Sequence, residues 1–216
     1  MGANGAREEP EPAASGGPAL VVRTGGDRDA TIAARLHAER ITDGFLSFLG
    51  PAFLSRLYRR IGRSPGSFVL VAEAGGTVVG FIAGSADVGR LYRTFLLRDG
   101  AVAGLSAAPK LLRSASRVLE TLRHGSDQAA GTGRGTELLA VAVDPGHQGQ
   151  GVGKALVGAF LDQVTAGGGN QAYVVVGAAN SGAIGLYTGA GFVAGVGFEL
   201  HAGTRSVLMQ WDAAGS

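Results

Sequence analysis

Residues 148–154 read Gln148-Gly149-Gln150-Gly151-Val152-Gly153-Lys154 and lie between an apolar, strand-like run and a helical stripe. Three glycines let a backbone approach a ligand with no Cβ in the way. The amides that open a helix find no acceptor inside it, and the helix dipole favours an anion there. The chemistry that this segment suits is the holding of a pyrophosphate. The bland alternative is a tight strand-to-helix turn in a glycine-heavy chain, because loose glycine patterns arise by chance. Two familiar phosphate loops fail on spacing. A Walker loop needs Gly where Gln148 stands and Ser or Thr where Ala155 stands. A Rossmann fingerprint needs a third glycine where Lys154 or Leu156 stands, depending on the starting glycine.

Other site chemistries are poorly represented. The chain has no cysteine, which removes disulfides, thiolate nucleophiles and sulfur-ligated metals together. His37, His124, His147 and His201 form no H-x-x-x-H pair and meet no carboxylate at ligand spacing, so no metal is expected. His147 abuts the glycine loop, where it either touches phosphate or is an exposed loop residue. Gly-x-Ser-x-Gly is absent.

Local patterns supply the elements that must position the loop. Ala19–Arg23 reads as a first strand, with Asp27 available to cap the helix that follows it. Phe45, Phe48, Leu49, Phe53, Leu57 and Ile61 recur at helical spacing across Gly50-Pro51, giving one broken helix or two, with arginines on the other side. Ser67–Ala72, Gly75-Gly76 and Thr77–Ala83 form a hairpin signal. Residues 86–130 read as a short helix around Leu91 to Leu96 and a second, basic helix opened by Pro109. Thr136–Val143 and Ala172–Val176 are continuous apolar runs that suit central strands buried on both faces. Gly153–Val164 and Asn180–Thr188 read as helices, and Phe192–Leu200 with Arg205–Trp211 as a closing hairpin. Residues 1–18 carry Gly, Ala, Pro and three Glu and read as a disordered tail rather than a signal peptide.

The loop and its flanks resemble the acyl-CoA-binding signature of the GCN5-related N-acetyltransferases (GNAT), Q/R-x-x-G-x-G/A. Gln148, Gly151 and Gly153 match it, with Val141-Ala142-Val143-Asp144-Pro145 upstream. Asn180, Ala183, Leu186-Tyr187 and Gly191-Phe192 resemble the family's second signature, N-x-x-A-x-x-L-Y-x-x-x-G-F. The resemblance is strong from about Glu137 to Phe192. It implies a single mixed α/β domain over residues 19–212. That domain has a twisted, mostly antiparallel sheet with a splayed central strand pair and helices on both faces. It implies that acetyl-CoA is the donor. The pantetheine arm would pair with the backbone at Val141, Ala142 and Val143. Gln148 and the amides of Gly149, Gln150, Gly151, Val152, Gly153 and Lys154 would hold the pyrophosphate. A backbone donor near Val143 would polarise the thioester carbonyl. Tyr187 is the implied general acid, since a phenol stays protonated at neutral pH. Asn180 would hold the coenzyme or the local loop, or cap its helix. Glu137 is the implied general base, with Glu73 a weaker alternative. Relatives that acetylate protein N-termini place Glu where this chain has Val175.

Composition bounds the partners. The chain has 216 residues, enough for one α/β domain and short for two. Lys and Arg total 19 against 17 Asp and Glu, and a net charge of +2 does not describe a nucleic-acid coat. No apolar run nears the ~20 residues of a membrane span, so the expectation is a cytoplasmic protein that meets neither membrane nor nucleic acid. The expected reaction is direct attack of a primary amine on acetyl-CoA in a ternary complex. The basic 86–130 insertion disfavours a polycationic acceptor, because like charges raise the cost of approach; a small-molecule amine is preferred to a protein amine. That insertion is expected to border the acceptor site or to support a homodimer. Two other readings stand beside this one: an acyl-CoA sensor without turnover, and a nucleotide-binding module built on the same loop.

Overall fold

The computed structural model describes residues 19–41, 46, 49–113, 133–201 and 204–215. The tail 1–18, residues 202–203 and the part of the expected insertion beyond 113 lie outside them. So do Phe45, Phe48 and His124. Seven strands form one sheet: β1 (Leu20–Thr24), β2 (Ser67–Ala74), β3 (Thr77–Ser85), β4 (Thr136–Val143), β5 (Gln171–Gly177), β6 (Val193–His201) and β7 (Thr204–Asp212). Their spatial order is β1-β2-β3-β4-β5-β7-β6. Every pairing is antiparallel except β4 with β5. This is the mixed, mostly antiparallel sheet implied by the resemblance. Both expected hairpins form, with β2 and β3 running two residues beyond their expected ends.

Helices cover both faces. On one lie α1 (Asp29–Arg40), α2 (Pro51–Arg63) and α3 (Val88–Arg113). The opposite face carries α4 (Val152–Ala166) and α5 (Ser181–Thr188). The two faces enclose separate apolar clusters. Leu36, Leu54, Leu57, Tyr58, Ile61, Phe81, Leu91 and Phe95 pack in the first. Leu138, Val152, Leu156, Phe160, Val174, Tyr187, Phe192 and Met209 pack in the second. Pro51 opens α2, where a missing N–H costs nothing. The arginines of α2 are partly engaged in ties between elements. Arg60 Nε donates to Asp99 Oδ2 of α3 at 2.6 Å, and Arg63 pairs with Asp27. Phe53 meets Phe95 edge to face at 5.2 Å, so charge and apolar contact together seat α3 on α2.

Two local expectations are corrected. Asp27 does not cap α1. Asp29 instead accepts the Gly26 amide at 2.8 Å and the Arg23 guanidinium at 2.7 Å, turning β1 into the helix. Pro109 does not open a second helix, because α3 runs unbroken through it. Proline forfeits one backbone bond there, and the Leu- and Ala-rich stretch around it carries the helix through. His37 is a core residue: its Nδ1 meets the Tyr58 hydroxyl at 2.5 Å, and burial pushes its pKa down to about 4.

The distance between α4 and the sheet is set at Gly84 of β3. A Cβ there would lie 2.6 Å from Phe160 and 2.8 Å from Phe68. Both rings are large, and Phe160 is fully buried, so neither can yield cheaply. Gly84→Ala should therefore lower stability by about 1–3 kcal/mol. Urea unfolding measures it, and an unchanged midpoint would show that α4 packs less closely than this.

Candidate active site

Strand β4 carries the geometry from which the site follows. Against β3 its register runs Gly80–Val143, Phe81–Ala142, Ile82–Val141 and Ala83–Ala140, then jumps to Gly84–Leu138 and Ser85–Glu137. Leu139 is thus the extra residue of a β-bulge, which bends the strand and increases its twist. Against β5 the same strand pairs only at Thr136–Ala172 and Glu137–Tyr173. Strand β5 meanwhile stays paired with β7 from Gln171 to Gly177. Beyond Glu137 the two central strands therefore diverge, and the outer edge of β4 through Val141, Ala142 and Val143 has no strand beside it. This is the splayed pair implied by the resemblance.

At the open end of the fork sits the glycine loop. Gly149 and Gly151 have φ of 74° and 81°, and a Cβ at either would meet nothing within 4 Å. Gly151 is the N-cap of α4 and offers no side-chain cap. The first helical amide with an acceptor is Ala155, which bonds Gly151 O at 3.0 Å. Among the described residues, the amides from Gly149 to Lys154 have no acceptor. A row of unpaired donors at the positive end of a helix, with open space over two glycines, fits the phosphates of a coenzyme. Gln148 and Lys154 are exposed, and Gln150 Nε2 donates to Gly146 O at 3.0 Å. His147 is half-buried, with its Nδ1 enclosed 3.5 Å from Asp144 Oδ1 and without a hydrogen-bond partner among the described residues.

Helix α5 brings Tyr187 to the same region. Asn180 caps it, its side chain accepting the Ala183 amide at 3.0 Å, so the capping alternative is realised. A Cβ on Gly153 would lie 3.4 Å from Leu186, which places α5 against the first turn of α4. Tyr187 is buried, packs on Phe192 at a ring distance of 5.7 Å and shares its cluster with Val152, Val174 and Val176. Burial pushes its phenol well above 10, so the hydroxyl stays protonated across the physiological range. None of the hydrogen bonds among the described residues uses it.

Glu137 lies on the other face. Leu138, Ala172 and Val174 point into the α4–α5 cluster, so Glu137 and its register partner Tyr173 point away from it. Tyr173 Oη donates to Glu137 Oε2 at 2.7 Å. Helix α3 borders the group through Tyr92, whose pKa is pushed up to about 12 by burial and by the charge of Glu137. Glu73 is elsewhere: it pairs with Arg23 Nε at 2.9 Å, at the opposite end of β2 from the level of Glu137. The fork thus has a carboxylate on one face and a phenol on the other, with unpaired amides at its mouth. Sequence reasoning missed Tyr173 and Tyr92. Two aromatic residues in apolar segments read as packing until the register joins them to a carboxylate.

Burial pushes the Glu137 carboxyl above its ordinary 4.5, and the Tyr173 bond pulls it partly back. A carboxyl that binds its proton more tightly when folded makes stability fall as pH rises from 4.5 through the folded value. Glu137→Gln cannot ionise, yet its amide oxygen can still accept from Tyr173. The variant should match the parent below pH 4.5 and equal or exceed its stability at pH 7–8. Urea titrations across that range check this, and a variant weaker at pH 8 would contradict it.

The comparisons with known proteins agree with this geometry. A family model described as the acetyltransferase (GNAT) family matches residues 37–192. The Salmonella typhimurium protein yncA, assigned as an acetyltransferase and solved with its cofactor acetyl-CoA, superposes with a TM-score of 0.59 at 16% identity, covering 90% of this chain and 94% of that one. A ribosomal-protein-alanine N-acetyltransferase from Brucella melitensis gives 0.58 at 17% identity, covering 89% and 99%. A spermidine N-acetyltransferase SpeG chimera from Vibrio cholerae and hSSAT gives 0.59 at 16% identity, covering 90% and 96%. No curated protein matches the chain by sequence. Among the described residues no group of His, Cys, Asp or Glu could hold a metal, and no helix is long and apolar enough to cross a membrane. With the family model spanning most of its length, the chain belongs to the GNAT family, the acyl-CoA-dependent N-acetyltransferases that acetylate amines with acetyl-CoA as donor.

Proposed function

We propose that this protein acetylates the primary amine of a small molecule, with Glu137 as general base and Tyr187 as general acid. When bound, acetyl-CoA supplies the acyl group, activated as a thioester. The amides from Gly149 to Lys154 hold its phosphates, and the open edge of β4 at Val141, Ala142 and Val143 receives its arm. Gln148 and Lys154, both exposed at this loop, would help to hold the phosphates, and Asn180 holds α5 in place. The observation that carries the reading is the fork with Glu137 and Tyr187 on opposite faces. An amine arriving on the α1–α3 face meets Glu137, which takes the proton that must leave before nitrogen is nucleophilic. Tyr187 Oη, on the other face, holds the proton that the departing sulfur needs. No enzyme nucleophile is required, so the absence of cysteine is no handicap.

The small-molecule preference rests on the cover over Glu137. Helix α3 is seated on α2 by Leu91, Phe95 and the Arg60–Asp99 pair, and it brings Tyr92 to the carboxylate. That cover suits a compact acceptor better than a protein chain. Spermidine and ribosomal-protein alanine, the acceptors of the structural neighbours, belong in the test as its two extremes. The working place for such chemistry is the cytoplasm, and residues 19–212 form the whole catalytic domain.

Thermal unfolding with acetyl-CoA, ATP and NAD tests the donor. At ~100 times its dissociation constant a ligand adds about 2.7 kcal/mol, or roughly 5–11 °C for a domain of this size. Acetyl-CoA alone should give the shift, and a shift with ATP would favour the nucleotide module. Thiol release with spermidine, glucosamine, free amino acids and an alanine-ended peptide then ranks acceptors, and a peptide as the fastest would overturn the small-molecule assignment. Tyr187→Phe should keep the thermal shift and lower kcat at least about 100-fold. Retention of full rate removes Tyr187 from the mechanism, and release with no amine in the panel favours a sensor.

A further inference from the structure

We infer that Tyr173 is the positioning residue for Glu137, fixing one carboxylate oxygen so that the other faces the incoming amine. The inference rests on the proposed role of Glu137 as proton acceptor. A glutamate at a strand start has three rotatable side-chain bonds and can point its carboxylate many ways. Here Tyr173 Oη holds Oε2 at 2.7 Å, which leaves Oε1 to accept from the substrate. Glu137 and Tyr173 are also the last register pair before the fork opens, so the bond spans its vertex.

The tyrosine is itself held from behind. Gly133 lies on its ring, where a Cβ would come within 2.4 Å of Cγ and Cδ2. Two residues on, Gly135 at φ 87° presses against the Gln171 carbonyl, where a Cβ would lie 2.0 Å from the oxygen. The segment that leads into β4 thus lies directly on the residue that orients the carboxylate. Such close backbone contact limits the ring to the one position that reaches Glu137.

No ion pair among the described residues includes Glu137. Among the described residues, the titratable groups that face it are Tyr173 from β5 and Tyr92 from α3, while β3 presents Ser85 as its register partner. Tyr173 is therefore the donor that stabilises its charged form. Burial and the neighbouring carboxylate keep the Tyr173 hydroxyl protonated, so it donates throughout the working range. A hydrogen bond to a charged group also outweighs a neutral one. Deleting it should both loosen the carboxylate and make it harder to ionise.

Tyr173→Phe keeps the ring and removes only the hydroxyl. Infrared difference spectra over a pH titration read the carboxyl directly and need no acceptor. The Glu137 band is the one lost in Glu137→Gln. In Tyr173→Phe that band should change frequency and titrate at higher pH. With the fastest amine of the panel, kcat should fall roughly 10- to 100-fold, KM for acetyl-CoA should stay within about twofold, and the acid limb of the rate profile should move to higher pH. Gly133→Ala, which crowds the ring without deleting the hydroxyl, should shift the same band in a smaller degree. A lower melting temperature with the band and acid limb unmoved would make Tyr173 a structural clasp and overturn the inference alone. Full rate and an unchanged pH profile in Glu137→Gln would overturn the base assignment, and the inference with it.

Discussion

The backbone pairing between β4 and β5 ends after two register pairs, Thr136–Ala172 and Glu137–Tyr173, and the rest of the molecule is arranged around that ending. Strand β5 cannot follow β4, because it is paired along its whole length with β7. Strand β4 cannot follow β5, because β3 holds it on the other side and the bulge at Leu139 bends it away. The sheet opens where it would be most costly to open, in its middle. Unpaired backbone groups there must find water or a guest. An extended, amide-bearing arm is the guest whose polar groups match a strand edge.

The same bulge decides which chemistry stands on which face. Along a regular strand Glu137 would share a face with Val141 and Val143, two and three steps of the pleat away. The extra residue at position 139 reverses the alternation. Val141 and Val143 pack toward α4 and α5, and Glu137 turns toward α1 to α3. A one-residue shift in a strand thereby puts the Glu137 carboxylate and the Tyr187 phenol on opposite faces of the sheet. Amine and leaving thiol would then be handled on different sides of one opening.

Several groups at this opening are held in states that a purely stable fold would avoid. Among the described residues, Glu137 is desolvated without a cation, Tyr187 is buried with an unused hydroxyl, and six consecutive amides from Gly149 to Lys154 lack acceptors. Each costs some stability, and functional sites are where such costs concentrate. The cost is offset by two full apolar clusters, one on each face. Their closeness to the sheet depends on positions such as Gly84, where any side chain would collide with Phe160. Part of the glycine excess is thus a packing device, and part is the loop geometry of Gly149 and Gly151.

Much of this was legible in the sequence. Apolar runs separated by glycine turns marked the strands. The order of the two signatures around Gly151 and Tyr187 marked the family and the donor. Pro51 and Asn180 marked helix starts through local rules that need no tertiary contact. The sequence by itself determined these because each depends on residues within a few positions of one another. What only the tertiary structure decided depends on register between distant segments. The bulge at Leu139 is invisible in an unbroken run of apolar residues, so the face of Glu137 was not readable. Tyr173 looked like one more residue of a buried strand until β5 was laid beside β4. The unbroken course of α3 past Pro109, and its seat on α2 through Arg60 and Asp99, are likewise long-range. Local chemistry named the parts, and pairing across 36 residues, from Glu137 to Tyr173, made one site of them.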